Sequence, residues 1–291
     1  MIVCIDIGGT SLKVAVENND ELLDKDTLPV REDFDSFVQE IVRWIKEKQK
    51  KYDIEGIAFS APGAVDVKSG IIGGASAIPY IHGPNFKEVF KEKLNLPISI
   101  ENDANCAALA EVYKGAAKEY NDVCFVVCGS GIGGAVIKDG LVHHGKHLHG
   151  GEFGYTVVCE DNGNMPILSE VASTQAMVRR VEKQLGGKWD GLKVFKEASN
   201  GNQVCQDSIE KFYHYLALGI YNIQYTYDPE LIVIGGAISK REDLCDNVSR
   251  HLDIILEKVG IAKVKPQVVS CQYFGDANLI GALVNYRQEY K

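Results

Sequence analysis

The stretch Ile2-Val-Cys-Ile-Asp-Ile-Gly-Gly-Thr10 decides how the rest of the chain is read. Six residues, apolar apart from Asp6, predict a buried strand, and Gly8-Gly9-Thr10 predicts the turn that ends it. A carboxylate at the end of a buried strand is costly unless something cationic lies near. Mg²⁺ on a phosphate, reached directly or through water, would supply that. Outward from this stretch, Leu12–Val16 resumes as a second strand. Phe34, Val38, Ile41 and Ile45 recur at helical spacing and predict an amphipathic helix over 35–51 with a lysine-rich end. Ile54–Phe59 reads as a strand stopped by Ala61-Pro62-Gly63. A short helix around 85–94, a strand Pro97–Glu101 and an Ala-, Leu- and Glu-rich helix Ala104–Lys114 follow.

The opening has a weak echo. Val123-Cys-Phe-Val-Val-Cys-Gly-Ser-Gly131 repeats the pattern of strand and glycine turn, with a further strand at Ala135–Lys138, and suggests two lobes of related architecture. Helices are expected around 167–185, 204–227 (ended by Asp228-Pro229), 243–259 and 276–289. Strands are expected at Leu231–Ile234 and 266–271, and loops at 139–151 and 186–202. Strands followed by helices, with no long linker, argue an α/β fold.

Three glycine turns each follow an apolar strand: Gly8-Gly9-Thr10, Gly129–Gly134 and Gly235-Gly236. Glycine permits positive φ and lets backbone N–H groups approach an anion, so three such turns fit a divided nucleotide site. Ordinary hairpin turns are the competing reading of any one of them. Gly129-x-Gly131-x-x-Gly134 is no dinucleotide fingerprint, because a strand and not a helix follows it. Gly140 to Lys146 starts like a P-loop, but His147 stands where Ser or Thr must hold Mg²⁺. Glu101-Asn102-Asp103-Ala104 lies where a strand hands over to a helix, a usual ligand position in α/β proteins. Asn102 and Asp103 suit a vicinal diol, and helix capping is the alternative. Glu152, in Gly150-Gly151-Glu152-Phe153-Gly154-Tyr155, and Glu170 are further candidates, each also readable as a solvated acid. The histidines at 143, 144, 147 and 149 read as a mobile polar loop beside the pocket and not as a metal cluster.

Composition narrows the function classes. The 291 residues suffice for one large or two ordinary domains, and a formal net charge of −9 argues against nucleic acid as the main partner. No apolar run approaches the ~20 residues that span a bilayer, and the first residues do not read as a signal peptide. The eight scattered cysteines, without a Cys-x-x-Cys pair, read as reduced thiols of a cytoplasmic protein.

Taken in order, Asp6-Ile-Gly-Gly-Thr10, Ser60-Ala-Pro-Gly63, Glu101-Asn-Asp-Ala-Asn105, Gly129-Ser-Gly-Ile-Gly133, Gly151-Glu-Phe-Gly154 and Gly235-Gly-Ala237 resemble the ROK family (repressors, open reading frames and kinases) over nearly the whole chain. The resemblance implies a two-lobed, actin-like (ribonuclease H-like) α/β fold, with a small lobe of residues 1–113 plus 276–291 and a large lobe of 114–275. It implies an ATP-dependent sugar kinase, and a homodimer. The nucleotide would meet Asp6, Gly8, Gly9, Thr10 and Lys13, then Gly129, Ser130, Gly131 and Gly133, with adenosine near Gly235 and Gly236. Asp6 would reach Mg²⁺ through water. Sugar contacts would come from Gly63, Asn102, Asp103, Glu152, Tyr155 and Glu170. Many family members have a histidine after Gly-Glu-x-Gly and then three zinc-binding cysteines. Here Tyr155 takes the histidine's place, Asp161, Gly163 and Leu168 stand where the cysteines would be, and Cys159 lacks partners, so no structural zinc is expected. This departure resembles the β-glucoside kinases of the family, which phosphorylate cellobiose-type sugars at the 6-hydroxyl.

The expected chemistry is attack of that hydroxyl on the γ-phosphorus with Asp103 as base, ionised at its ordinary pKa of ~3.9. Glucokinase and N-acetylmannosamine kinase are rivals within the family. A sugar-sensing regulator is the rival of another class, disfavoured because no helix-turn-helix fits before the motif at residue 6.

Overall fold

The computed structural model describes residues 1–160, 163–273 and 275–290. The chain divides into two compact units. One comprises Met1–Lys114, His144–His149 and Gly275–Lys291, and the other Gly115–His143 and Gly150–Phe274.

In the first unit, β1 (Ile2–Ile7) is buried along its whole length. Period-two alternation sends Val3, Ile5 and Ile7 into one core and Ile2 and Cys4 into another. β1 pairs antiparallel with β2 (Ser11–Asn18), which pairs with β3 (Glu21–Pro29). Helix α1 (Phe34–Gln49) begins at Asp33, whose carboxylate accepts the Ser36 N–H at 2.9 Å. β4 (Gly56–Ala61) lies parallel to β1, and a small hairpin follows, β5 (Ala64–Asp66) with β6 (Ile71–Gly73). Helix α2 (Phe86–Leu94) precedes β7 (Ile98–Asn102), which completes the sheet β3-β2-β1-β4-β7. Phe37 and Ile41 of α1 and Phe86 and Phe90 of α2 pack with Phe59 of β4 on one face. Each such ring contributes roughly 1.5–3 kcal/mol by leaving water. Helix α3 (Asp103–Lys114) lies towards the other face, where Cys106 packs with Leu279, Ala282, Leu283 and Tyr286 of the last helix, Ala277–Glu289. The two helices approach so closely that a Cβ on Gly281 would lie 1.8 Å from the Cys106 carbonyl oxygen.

The second unit repeats the plan. β8 (Val123–Cys128) pairs antiparallel with β9 (Ile132–Lys138), and β9 with β10 (Leu141–Val142). Helices α4 (Leu168–Ala172), α5 (Thr174–Leu185), α6 (Gly191–Ser199) and α7 (Gln203–Tyr227) follow. Then come β11 (Leu231–Gly235), α8 (Leu244–Val259) and β12 (Val268–Ser270). The sheet order is β10-β9-β8-β11-β12, with β11 parallel to β8 and β12. Both sheets therefore run edge, hairpin partner, first strand, then two parallel strands, the duplication foreshadowed by the two glycine turns. The final helix Ala277–Glu289 is α9.

One strand was not foreseen and three sequence expectations are corrected. β3 carries Asp24, Lys25 and Asp26 and is largely exposed, so it shows no apolar signal as an edge strand. β9 starts at Ile132 and takes in Gly133 and Gly134, because pairing with β8 overrides glycine's weak strand preference. Residues 191–199, expected as loop, form α6, capped by Asp190, which accepts the Lys193 N–H at 2.8 Å. The helix expected over 167–185 is interrupted at Ser173, which caps α5 through the Ala176 N–H at 3.1 Å.

Candidate active site

Strand register builds the first unit's site. Lys13, Asp6, Ser60 and Glu101 occupy one rung across β2, β1, β4 and β7. The parity that sends Cys4 and Ala58 towards α9 puts Asp6 and Ser60 on that face too. Asp6 is buried, and its Oδ1 accepts from Ser60 Oγ at 3.1 Å and Asn278 Nδ2 at 2.9 Å. Lys13 Nζ is 3.9 Å from Asp6 Oδ2 and donates to the Gly275 carbonyl at 3.0 Å. The cationic neighbour demanded by the sequence is thus in part Lys13 itself. Sequence reasoning did not find Asn278, a lone polar side chain near the start of an otherwise core-facing helix.

Asp103 opens α3. Its Oδ1 accepts the Ala104 N–H at 2.8 Å and Asn102 Nδ2 at 3.0 Å. Asn102 also donates to the Gly63 carbonyl at 3.0 Å, while its Oδ1 accepts from Ala104 N–H at 2.9 Å and Asn105 N–H at 3.1 Å. The capping alternative therefore describes Asn102: both amide hydrogens and both lone pairs are engaged inside the chain. Gly63 has φ +99°, and a Cβ there would come within 2.7 Å of the Gly73 carbonyl and 3.1 Å of the His82 ring. Burial pushes the Asp103 carboxyl above the ordinary range and the Asp6 charge adds to this, against the Ala104 N–H and Asn102, which lower it. The expectation of an ordinary pKa is corrected accordingly.

The glycines separate into two kinds. Neither Gly8 and Gly9 nor Gly129, Gly131 and Gly133 take positive φ, so the conformational reason expected for them does not apply. Gly8 is needed for closeness: its N–H donates to the Ser11 carbonyl at 3.1 Å, and a Cβ would lie 2.8 Å from that oxygen. Gly9 faces Ala77. Gly235 and Gly236 are also demanded by the fold, the first by the Phe125 ring at 2.5 Å from a notional Cβ, the second by φ +91° and the Cys128 carbonyl at 2.3 Å. Gly129 and Gly133 are different. A Cβ on either would enter open space, so nothing in the chain explains their lack of a side chain. The Gly129 N–H turns back to the Gly131 carbonyl at 3.0 Å, with Ser130 exposed and Gly131 half-exposed. Thr10 is likewise exposed at the first unit's turn.

Within the second unit, Thr174, Gly191, Leu192, Phe195, Ala237, Ile238 and Arg241 line most of a cavity of about 240 Å³ beside Gly236. Arg241 stacks on Phe195 at 3.8 Å and is held by Asp243. Glu152 is exposed at the head of a single 3-10 turn, Phe153–Tyr155. The loop sits hard on β9: a Cβ on Gly151 would be 2.7 Å from Ala135 and one on Gly154 1.9 Å from the Ile132 carbonyl. Ser169 ties α4 to the same strand, accepting from Ile132 N–H at 2.9 Å and donating to its carbonyl at 3.2 Å. Glu170 is exposed and accepts the Ile167 N–H at 3.1 Å, so one of its oxygens serves the helix start. Tyr155 is 69% exposed. Gly163 is exposed and Leu168 buried, while Asp161 lies outside the described residues.

The histidine loop is anchored. His144 Nε2 lies 2.7 Å from Glu101 Oε2, and segment 144–149 groups with the first unit. Among the described residues no three His, Cys, Asp or Glu side chains are grouped to hold a metal.

A family model described as ROK family matches residues 2–289. The chain belongs to the ROK family. This ROK protein is 32% identical over 298 residues to a β-glucoside kinase of Klebsiella pneumoniae, covering 100% of the chain and 97% of the relative. It is 29% identical to a glucokinase of Halalkalibacterium halodurans, covering 86% and 84%. A crystal structure of a ROK family protein from Streptococcus pneumoniae in complex with sucrose superposes with TM-score 0.91 at 41% identity, covering 99% and 98%. The ROK chain has the actin-like ATPase fold and is an ATP-dependent sugar kinase. None of its described helices is long and apolar enough to cross a membrane.

Proposed function

We propose that this kinase transfers the γ-phosphoryl group of ATP to the 6-hydroxyl of a β-glucoside of the cellobiose type, with Asp103 as general base. One observation carries the reading: the Asp103 carboxylate is held at Oδ1 by Ala104 N–H and Asn102, at the C-terminal end of a parallel strand. That end of the sheet is where α/β proteins bind ligands. A fixed carboxylate with one oxygen tied back can accept a hydroxyl proton through the other. Asn102, with its amide filled, sets the Asp103 rotamer and lines the sugar subsite together with the Gly63 turn. Glu152, Tyr155 and Glu170 are further sugar contacts in this reading.

In this reading the 240 Å³ cavity beside Gly236 takes the adenine, and Ser130 and Gly131 face phosphate where Gly129 and Gly133 leave room. Asp6, Thr10 and Lys13 serve the phosphate end. Mg²⁺ carried by ATP would neutralise charge on the phosphates, with Asp6 as its protein-side partner through water. The β-glucoside reading is supported by the 32% identity to the Klebsiella enzyme and by Tyr155 in place of the zinc-site histidine. An ADP-coupled screen over cellobiose, aryl-β-glucosides, glucose, mannose, N-acetylmannosamine and fructose tests it, with NMR of the product to locate the phosphate. Highest kcat/KM on a β-glucoside and a 6-phosphate are expected. Preference for glucose or N-acetylmannosamine would overturn the substrate, and a phosphate elsewhere would overturn the position.

A further inference from the structure

Glu101 is fully buried on β7, two residues before the proposed base. Its Oε1 accepts the Asn102 N–H at 2.7 Å and Asn105 Nδ2 at 2.9 Å. Its Oε2 meets His144 Nε2 at 2.7 Å. An ionised carboxylate only accepts, so Nε2 must carry the hydrogen. A carboxylate with no exposure is expensive unless every oxygen is served, and His144 is the one cationisable side chain paired with it among the described residues. Through Asn102, the same carboxylate fixes the residue that donates to Asp103 Oδ1 at 3.0 Å.

We propose that His144 is a positioning residue for phosphoryl transfer: through Glu101 it holds the Asn102–Asp103 corner, and its protonation sets how firmly that corner is held. The inference rests on Asp103 being the base. The charged groups facing the imidazole are Glu101 on β7 and Asp66 near it on β5, both anionic. The Glu101 hydrogen bond raises the His144 pKa from its ordinary ~6.5, against burial, which lowers it. A raised folded-state pKa means that the charge-assisted contact is complete below the ordinary value and weakens as pH rises through the folded one. The neutral ring still donates from Nε2, so turnover declines to a plateau and does not vanish.

The test measures kcat, both KM values and Tm from pH 5.5 to 9 for the full-length wild type, H144A, H144Q and D103N. H144A should lose roughly 10-fold in kcat, with KM for ATP unchanged. H144Q, which keeps a donor but cannot titrate, should recover most of kcat and lose the alkaline decline. NMR titration of the His144 imidazole should show its pKa falling in E101Q. Wild-type kcat and pH profile in H144A, or an alkaline decline that survives in H144Q, would overturn the proposal. H144Q also decides the matter if H144A does not fold. Failure of the base reading shows separately, as wild-type turnover in D103N, and the imidazole titration still reports whether the Glu101 contact exists.

Discussion

Asp103 carries two opposed demands. As the proposed base it must be ionised, yet burial and the nearby Asp6 charge disfavour that ionisation. Because its folded-state pKa is raised, the folded protein binds the Asp103 proton more tightly than the unfolded chain does. The ionised group therefore costs stability as pH rises through its folded pKa. Two outcomes are expected. The acid limb of kcat/KM for the sugar lies above ~3.9, the value for a free aspartate, as a pH–rate profile will show. Asp103→Asn lowers kcat by roughly 10²–10⁴-fold while its Tm at pH 7 equals or exceeds that of the wild type. A parallel fall in Tm and kcat would instead make Asp103 a structural residue. The capping geometry of Asn102 was an open alternative in the sequence, and the fold decides it: Asn102 Oδ1 accepts the Ala104 and Asn105 N–H groups, and Asp103 Oδ1 shares the first of them.

At the level of elements, the glycine turns look alike in sequence and differ in cause. Gly154 sits on β9 with 1.9 Å between a notional Cβ and the Ile132 carbonyl, so Gly154→Ala must push backbone apart. It should cost about 1–3 kcal/mol or more, read as a lowered denaturation midpoint. Gly129→Ala puts a methyl group into open space at ordinary φ. It should leave the midpoint unchanged and raise KM for ATP by roughly 10-fold, about 1.4 kcal/mol. Equal effects on stability would erase the distinction. Strands β1, β4, β8 and β11 were legible because they are apolar almost throughout. β3 and α6 were not, the first because an edge strand tolerates charge, the second because Gly186, Gly187 and Gly191 obscure a short capped helix.

For the whole molecule, the two units carry sheets of one strand order, and the proposed ligands are ATP and a sugar. Ligand binding should therefore show in stability. A non-hydrolysable ATP analogue at 100 times its Kd adds about 2.7 kcal/mol by mass action, with a further gain when the preferred sugar is added. Thermal melts measure both, and no shift with nucleotide would contradict the assigned cavity and turns.

Local pattern determined much here. Apolar runs and helical spacing specified an α/β chain, because strand burial and turn chemistry are written within a few consecutive positions, and the ordered glycine and acid motifs carried the family resemblance that implied a kinase and its candidate residues. Register and packing decided the rest. Only pairing of β2, β1, β4 and β7 aligns Lys13, Asp6, Ser60 and Glu101, and only the return of α9 and segment 144–149 brings Asn278 to Asp6 and His144 to Glu101. Those partners are 272 and 43 residues apart, and no local period can encode a hydrogen bond over such a distance.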